Sequence, residues 1–224
     1  MFENSLFTNS GGNAPQRTPP AEKDSFWRNE MYVLGLVAIL WVVQIFKRMI
    51  GADFAEFGLI PHDKDHLWGI LTAPFIHGDE MHLASNTLAI LVLLSVLLNA
   101  YQKVSVPVLL FVHLVSGIMV WFIGNPMSVH VGISGIIYGI AGFLIASGFF
   151  RRDFKSVAIA IFIALVYGGG MIAGLIPKER ISWEWHLSGA ISGVIIAWLL
   201  KSIDKPIPHE FDLEDKEPDK HFFE

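Results

Sequence analysis

The sequence contains no cysteine, which excludes disulfides, thiolate metal sites and thiol nucleophiles, so any nucleophile must be oxygen or nitrogen. Charge is also scarce: only 17% of the 224 residues are Asp, Glu, Lys or Arg. The formal net charge of -5 comes partly from an acidic stretch after Lys201, and no basic face of the kind nucleic acid requires is visible. His62, His66 and His77 lie in one segment, but no His-Glu-x-x-His pattern occurs, so zinc-protease chemistry is not indicated. Neither a metal nor another cofactor is expected.

What is abundant is apolar surface. At 53% hydrophobic residues and a mean hydropathy of +0.50, the chain is too apolar for an ordinary soluble domain. A membrane-spanning helix needs roughly 20 mostly apolar residues. Six such stretches stand out, at about 31–50, 81–100, 106–124, 131–150, 157–175 and 185–200. The expected fold is therefore an all-α, polytopic six-transmembrane-helix bundle covering residues 31–200. Residues 1–30, rich in Asn, Ser, Gly and Pro, are expected to form a flexible cytoplasmic tail, and residues 201–224 a solvated acidic tail. The long joint 51–81 mixes aromatics with His and Asp, and is expected to lie in the membrane interface against the bundle. Trp183 and Trp185 read as part of an aromatic belt, and His113 as a hydrogen-bonded core histidine. The triple glycine 168–170 should make the fifth span the softest.

Basic residues near span ends favour both termini in the cytoplasm: Arg28, Lys103, Arg151, Arg152, Lys155, Lys201 and Lys205 fall on one side, against Lys47, Arg48, Lys64, Lys178 and Arg180. Short joints and no eukaryotic-style targeting segment suggest a bacterial inner membrane.

In a serpentine bundle the even-numbered spans all begin on one face. The second begins with His82 and Asn86, one helical turn apart; the fourth with Gly132-Ile-Ser134-Gly135 and Tyr138; the sixth with His186, then Gly189 and Gly193. A serine, two histidines and an asparagine thus share one layer. Serine beside glycine in a membrane helix is by itself a packing feature. A histidine in the same layer, above a groove cut by Gly189 and Gly193, makes it a candidate base-activated hydroxyl. The Ser134 amide opens a helix and is free to bind an oxyanion, with His82 and Asn86 as further donors. Tyr138 can pack on the His186 ring. No acidic residue lies in that layer, so the pattern is a Ser-His dyad.

These three motifs, in this order and at this depth, resemble the rhomboid intramembrane serine proteases over roughly residues 68–200. The resemblance implies cleavage of transmembrane protein substrates within the lipid bilayer, at helix-destabilised sites after a small residue. It assigns Ser134 as nucleophile, His186 as base and then acid, and His82 and Asn86 to the oxyanion hole, opening to the extracytoplasmic side. The fifth span is implied as a lateral gate. Two positions depart from the family pattern: Trp68 is followed by Gly69 where arginine is common, and no glutamate lies near Leu98, so a polar tie between spans is expected to be missing. A catalytically silent rhomboid-like protein and a small His-lined transporter are the rival readings.

Overall fold

A computed structural model describes residues 22–178 and 181–203. Most of the acidic tail, most of the N-terminal tail, Arg180 and Lys205 lie outside the described residues. Among the described residues seven α-helices follow one another: α1 Glu22–Ile50, α2 Gly69–Thr72, α3 Glu80–Ala100, α4 Ser105–Ile123, α5 Ser134–Arg151, α6 Phe154–Gly174 and α7 Trp183–Leu199. Five of them (α1, α3, α4, α5 and α6) are long and apolar enough to cross a membrane. The sixth expected span, α7, has 17 residues and reaches only about 25 Å, short of a hydrocarbon core of about 30 Å. The protein is thus a multi-pass membrane protein, all-helical among the described residues, with five helices that length and composition mark as candidate spans.

Helix α5 is the axis. Of its apolar 18-residue stretch 78% is buried, with α7, α6, α4 and α3 all packed on it. The contact with α7 is made by small residues on both sides. A Cβ built on Gly189 would strike the carbonyl oxygen of Gly135, and one on Gly193 that of Gly139. Backbones this close gain dispersion and Cα–H···O contacts that larger residues would forbid. Gly139 carries a second role, since its Cβ position is filled by Val112 of α4.

Helix α1 runs antiparallel to α3 and begins at Glu22, ahead of the start near residue 31 expected for the first span. The reason is a polar cluster. Asn29 donates to the Leu98 carbonyl (3.1 Å) and to Asn99 Oδ1 (3.0 Å), while Glu30 accepts from Ser95 (2.7 Å) and Asn99 (2.8 Å). The polar tie expected to be missing from the end of α3 is therefore present, with its carboxylate supplied by α1. At the other end, Lys47 caps the carbonyls of His77 and Gly78, and Arg48 pairs with Glu80.

Arg151, counted above only as a basic flanking residue, is buried. It donates to the carbonyls of Leu200 (3.1 Å) and Ile203 and lies 5.0 Å from the centre of the Tyr101 ring, clasping the ends of α5 and α7 together.

The long joint before α3 is fastened by backbone. Leu59 and His130 exchange two bonds of 2.9 Å, Gly69 packs directly on the Gly58 carbonyl, and Trp121 of α4 donates to Asp63 O at 3.0 Å. The glycine after Trp68 is what permits that approach, so the loop is anchored without an arginine there.

Candidate active site

The approach to α5 turns at Gly132, whose φ of +104° is strained for any residue with a side chain. A Cβ there would also come within 2.9 Å of His82 Cε1 and 3.1 Å of His82 Nε2. The turn is held from the preceding loop: Gly132 N–H donates to Ala73 O (2.9 Å), and the Ile133 N–H points at His77 Nε2, at a long 3.5 Å. Ser134 then opens the helix with no side-chain cap, leaving its own N–H among the unpaired donors of the first turn.

Ser134 is 6% exposed, and its Oγ lies 2.9 Å from His186 Nε2. The other ring nitrogen, His186 Nδ1, is 2.8 Å from the carbonyl oxygen of Gly174. A carbonyl only accepts, so Nδ1 carries the proton and Nε2 is left bare to receive the serine hydroxyl. The His186 ring is stacked on Tyr138, with centroids 4.1 Å apart and planes 2° from parallel. Tyr138 in turn donates from Oη to Met171 O at 3.1 Å.

These groups open into a cavity of about 1140 Å³ that His82 and Asn86 also line. Asp79 caps α3 by accepting from the His82 N–H at 2.8 Å, which holds the Asp79 carboxyl below its ordinary range. Asn86 Nδ2 is a buried donor with no partner among the described residues. An unpaired amide costs about 1–3 kcal/mol, a cost that disappears when an acceptor arrives. Behind His82 stands His77, fully buried and edge-on to it at 5.1 Å. Burial first, then the neighbouring His82 and Lys47, push His77 down to about 3, so it is neutral at physiological pH.

Three features escape a reading of the sequence. Trp185 is not a belt residue: it is 2% exposed and occupies the space a Cβ on Gly135 would need. Its spacing of four from Gly189 puts it on the groove face, which was the available signal. His130, unremarked in sequence, is buried in the cavity wall, 5.9 Å from the Trp185 ring. It lies 2.9 Å from Ser128 Oγ; burial, then His186, lowers it to about 4. The Gly174 carbonyl is backbone and leaves no trace in side-chain patterns. His113, expected as a bonded core histidine, is half-buried on α4 away from the cavity, and its ring makes no hydrogen bond among the described residues.

The family model of the rhomboid domain matches residues 64–203, which span α2 to α7. An uncharacterized protein of Mycobacterium tuberculosis is 33% identical over 182 residues, covering 77% of this chain and 75% of its own length. One of Mycobacterium bovis matches to the same extent, and one of Mycobacterium leprae is 32% identical over 183 residues, covering 77% and 72%. The domain match and the extent of these relatives together establish that the chain belongs to the rhomboid family of membrane-embedded proteins.

Proposed function

We propose that this chain is an intramembrane serine endopeptidase acting on transmembrane segments of other proteins. The observation that carries the reading is the 2.9 Å approach of Ser134 Oγ to a His186 Nε2 left bare by the bond at Nδ1. Ser134 attacks the scissile carbonyl as His186 takes the hydroxyl proton; the resulting oxyanion is met by the Ser134 N–H, Asn86 Nδ2 and His82. His186 then returns the proton to the leaving amine, and water, deprotonated by the same imidazole, releases the acyl group from Ser134. Gly132, Gly135, Gly189 and Gly193 supply the spacing, and Tyr138 fixes the ring.

The same reading makes α7 a sixth span, packed along α5 and α4. It puts the cavity on the extracytoplasmic side of a bacterial plasma membrane; the mycobacterial relatives favour the bacterial part of that reading. Residues 1–30 and 201–224 then flank the protease domain, 31–200, in the cytoplasm.

The test is cleavage of a helical membrane reporter by the purified protein in liposomes. Wild type should cut and Ser134→Ala should not. A fluorophosphonate probe should label wild type but neither Ser134→Ala nor His186→Ala. Equal cleavage by Ser134→Ala ends the assignment of the nucleophile, and capture of the reporter without cleavage by wild type indicates a silent client-holding protein.

A further inference from the structure

Helix α6 ends at Gly174, and the carbonyls of its last turn have no partner within the helix. Two of them are taken by the candidate site: Met171 O accepts from Tyr138 Oη, and Gly174 O accepts from His186 Nδ1. Among the described residues no carboxylate bonds to His186. The position that a carboxylate holds in a Ser-His-Asp triad is here filled by the carboxyl end of a helix.

We propose that the C-terminal turn of α6 is the orienting partner of His186, with the Gly174 carbonyl as the positioning group. This rests on the Ser134–His186 reading above. The carbonyl selects the tautomer with hydrogen on Nδ1, which leaves Nε2 as the only nitrogen able to accept the Ser134 proton. When Nε2 has taken that proton, both nitrogens carry hydrogen, and the positive ring faces the negative end of the helix dipole. The Nδ1 proton stays in place throughout. The aspartate of a Ser-His-Asp triad does the same work by tautomer choice and imidazolium stabilisation.

The residue identity at 174 follows from this contact. A Cβ on Gly174 would collide with Tyr138 Oη and sit 3.1 Å from His186 Nδ1, so a side chain there pushes the carbonyl off the ring. It also follows that the base is set by the least buried of the five long apolar helices among the described residues, since only 6% of the apolar stretch of α6 is buried. Displacement of the end of α6 from α5 breaks both bonds and leaves the imidazole free to change tautomer.

The decisive measurement does not depend on activity. In detergent, ¹⁵N-histidine NMR, with the signals of His186 identified by their loss in His186→Ala, should show Nδ1 protonated and Nε2 bare at neutral pH. A resting His186 with hydrogen on Nε2, or an even mixture of tautomers, overturns the proposal. Gly174→Ala should then mix the tautomers and lower kcat by about 100-fold, the cost of a displacement near 1 Å, with KM little changed. Gly174→Ala/Tyr138→Phe removes the obstructing hydroxyl and should recover much of the loss. Gly174→Ala with wild-type kcat, or a double variant no faster than the single at equal thermal stability, sinks the inference. An active wild type carrying the wrong tautomer defeats this inference alone; a wild type no better than Ser134→Ala defeats the dyad reading and this with it.

Discussion

Helices α5 and α6 are neighbours of similar composition, and both are rich in glycine, yet they use it in opposite ways. In α5 the Cβ positions of Gly135, Gly139, Gly142 and Gly148 are occupied by Trp185, Val112, the Ala190 carbonyl and Ala160. In α6 those of Gly168, Gly169 and Gly170 meet nothing within 4 Å. Burial follows the same division, 78% against 6% of the apolar stretch. Absence of a side chain in α5 lets other groups in; at positions 168–170 of α6 it only removes packing and adds backbone freedom, and only at the end of α6, at Gly174, does it admit neighbours. The site lies between the two, with its hydroxyl on the fixed helix and the carbonyl that orients its base on the loosely held one.

The strongest way to break the contrast is to place the same methyl group on the tight side. In Gly189→Ala the new Cβ meets the Gly135 carbonyl, a backbone atom that has no rotamer to escape into. Overpacking of this kind costs about 1–3 kcal/mol, and it acts by parting α5 from α7, which also parts Ser134 from His186. Both thermal stability in detergent and reporter cleavage should fall, cleavage by more than about 100-fold. Wild-type cleavage in this variant would mean that the close approach of the two helices does not set the site.

Asn86→Ala removes a donor that stands in the cavity and bonds to nothing among the described residues. It should slow kcat by about 10²- to 10³-fold if Asn86 meets the oxyanion. Thermal stability should stay level or rise, because a buried unpaired amide is lost with it. A stability loss with unchanged kcat would return Asn86 to a packing role and confine the site to α5, α6 and α7.

Much of this was legible in the sequence, and what was legible had a side chain and a period. The apolar runs gave α3 to α7 to within a few residues, and the motif spacings put His82, Asn86, Ser134 and His186 in one layer. The start of α1 was not legible, because Asn29 and Glu30 look like tail residues until Ser95 and Asn99 are brought opposite them. Trp185 was misread because tryptophan at a span end favours the interface, whereas here the hole left by Gly135 holds it inside. The acceptor for His186 is peptide backbone, which any residue at 174 would carry; only the geometry at the end of α6 selects it.

Acid should act on the tight side of the comparison. His77 and His130, which flank the approach to α5, are held at about 3 and about 4 against an ordinary value of about 6.5. Folded-state values below the unfolded one mean that their contribution to stability is complete above about pH 6.5 and declines as pH falls towards the folded values. By pH 5 each should cost about 2 kcal/mol. His130→Gln, which keeps a donor for Ser128, should flatten the decline by one histidine's share when unfolding is followed between pH 7 and pH 5. An unchanged slope would show that His130 is solvated as well in the folded protein as in the unfolded chain.

The smallest effect expected is also the one of opposite sign. Gly169→Ala puts on α6 the methyl group that α7 cannot accept at Gly189, and nothing stands in its way. The gain is the helix propensity of alanine over glycine, about 1 kcal/mol, or about 2–4 °C in Tm for a chain of this size. Cleavage should survive, since Gly169 does not touch the Ser134–His186 pair, and any slowing would report a need for α6 to yield as substrate arrives. A fall in Tm would mean that the open face of α6 is closed against another group in the membrane. The two helices would then differ in which partner they hold, and the contrast in freedom between them would no longer stand.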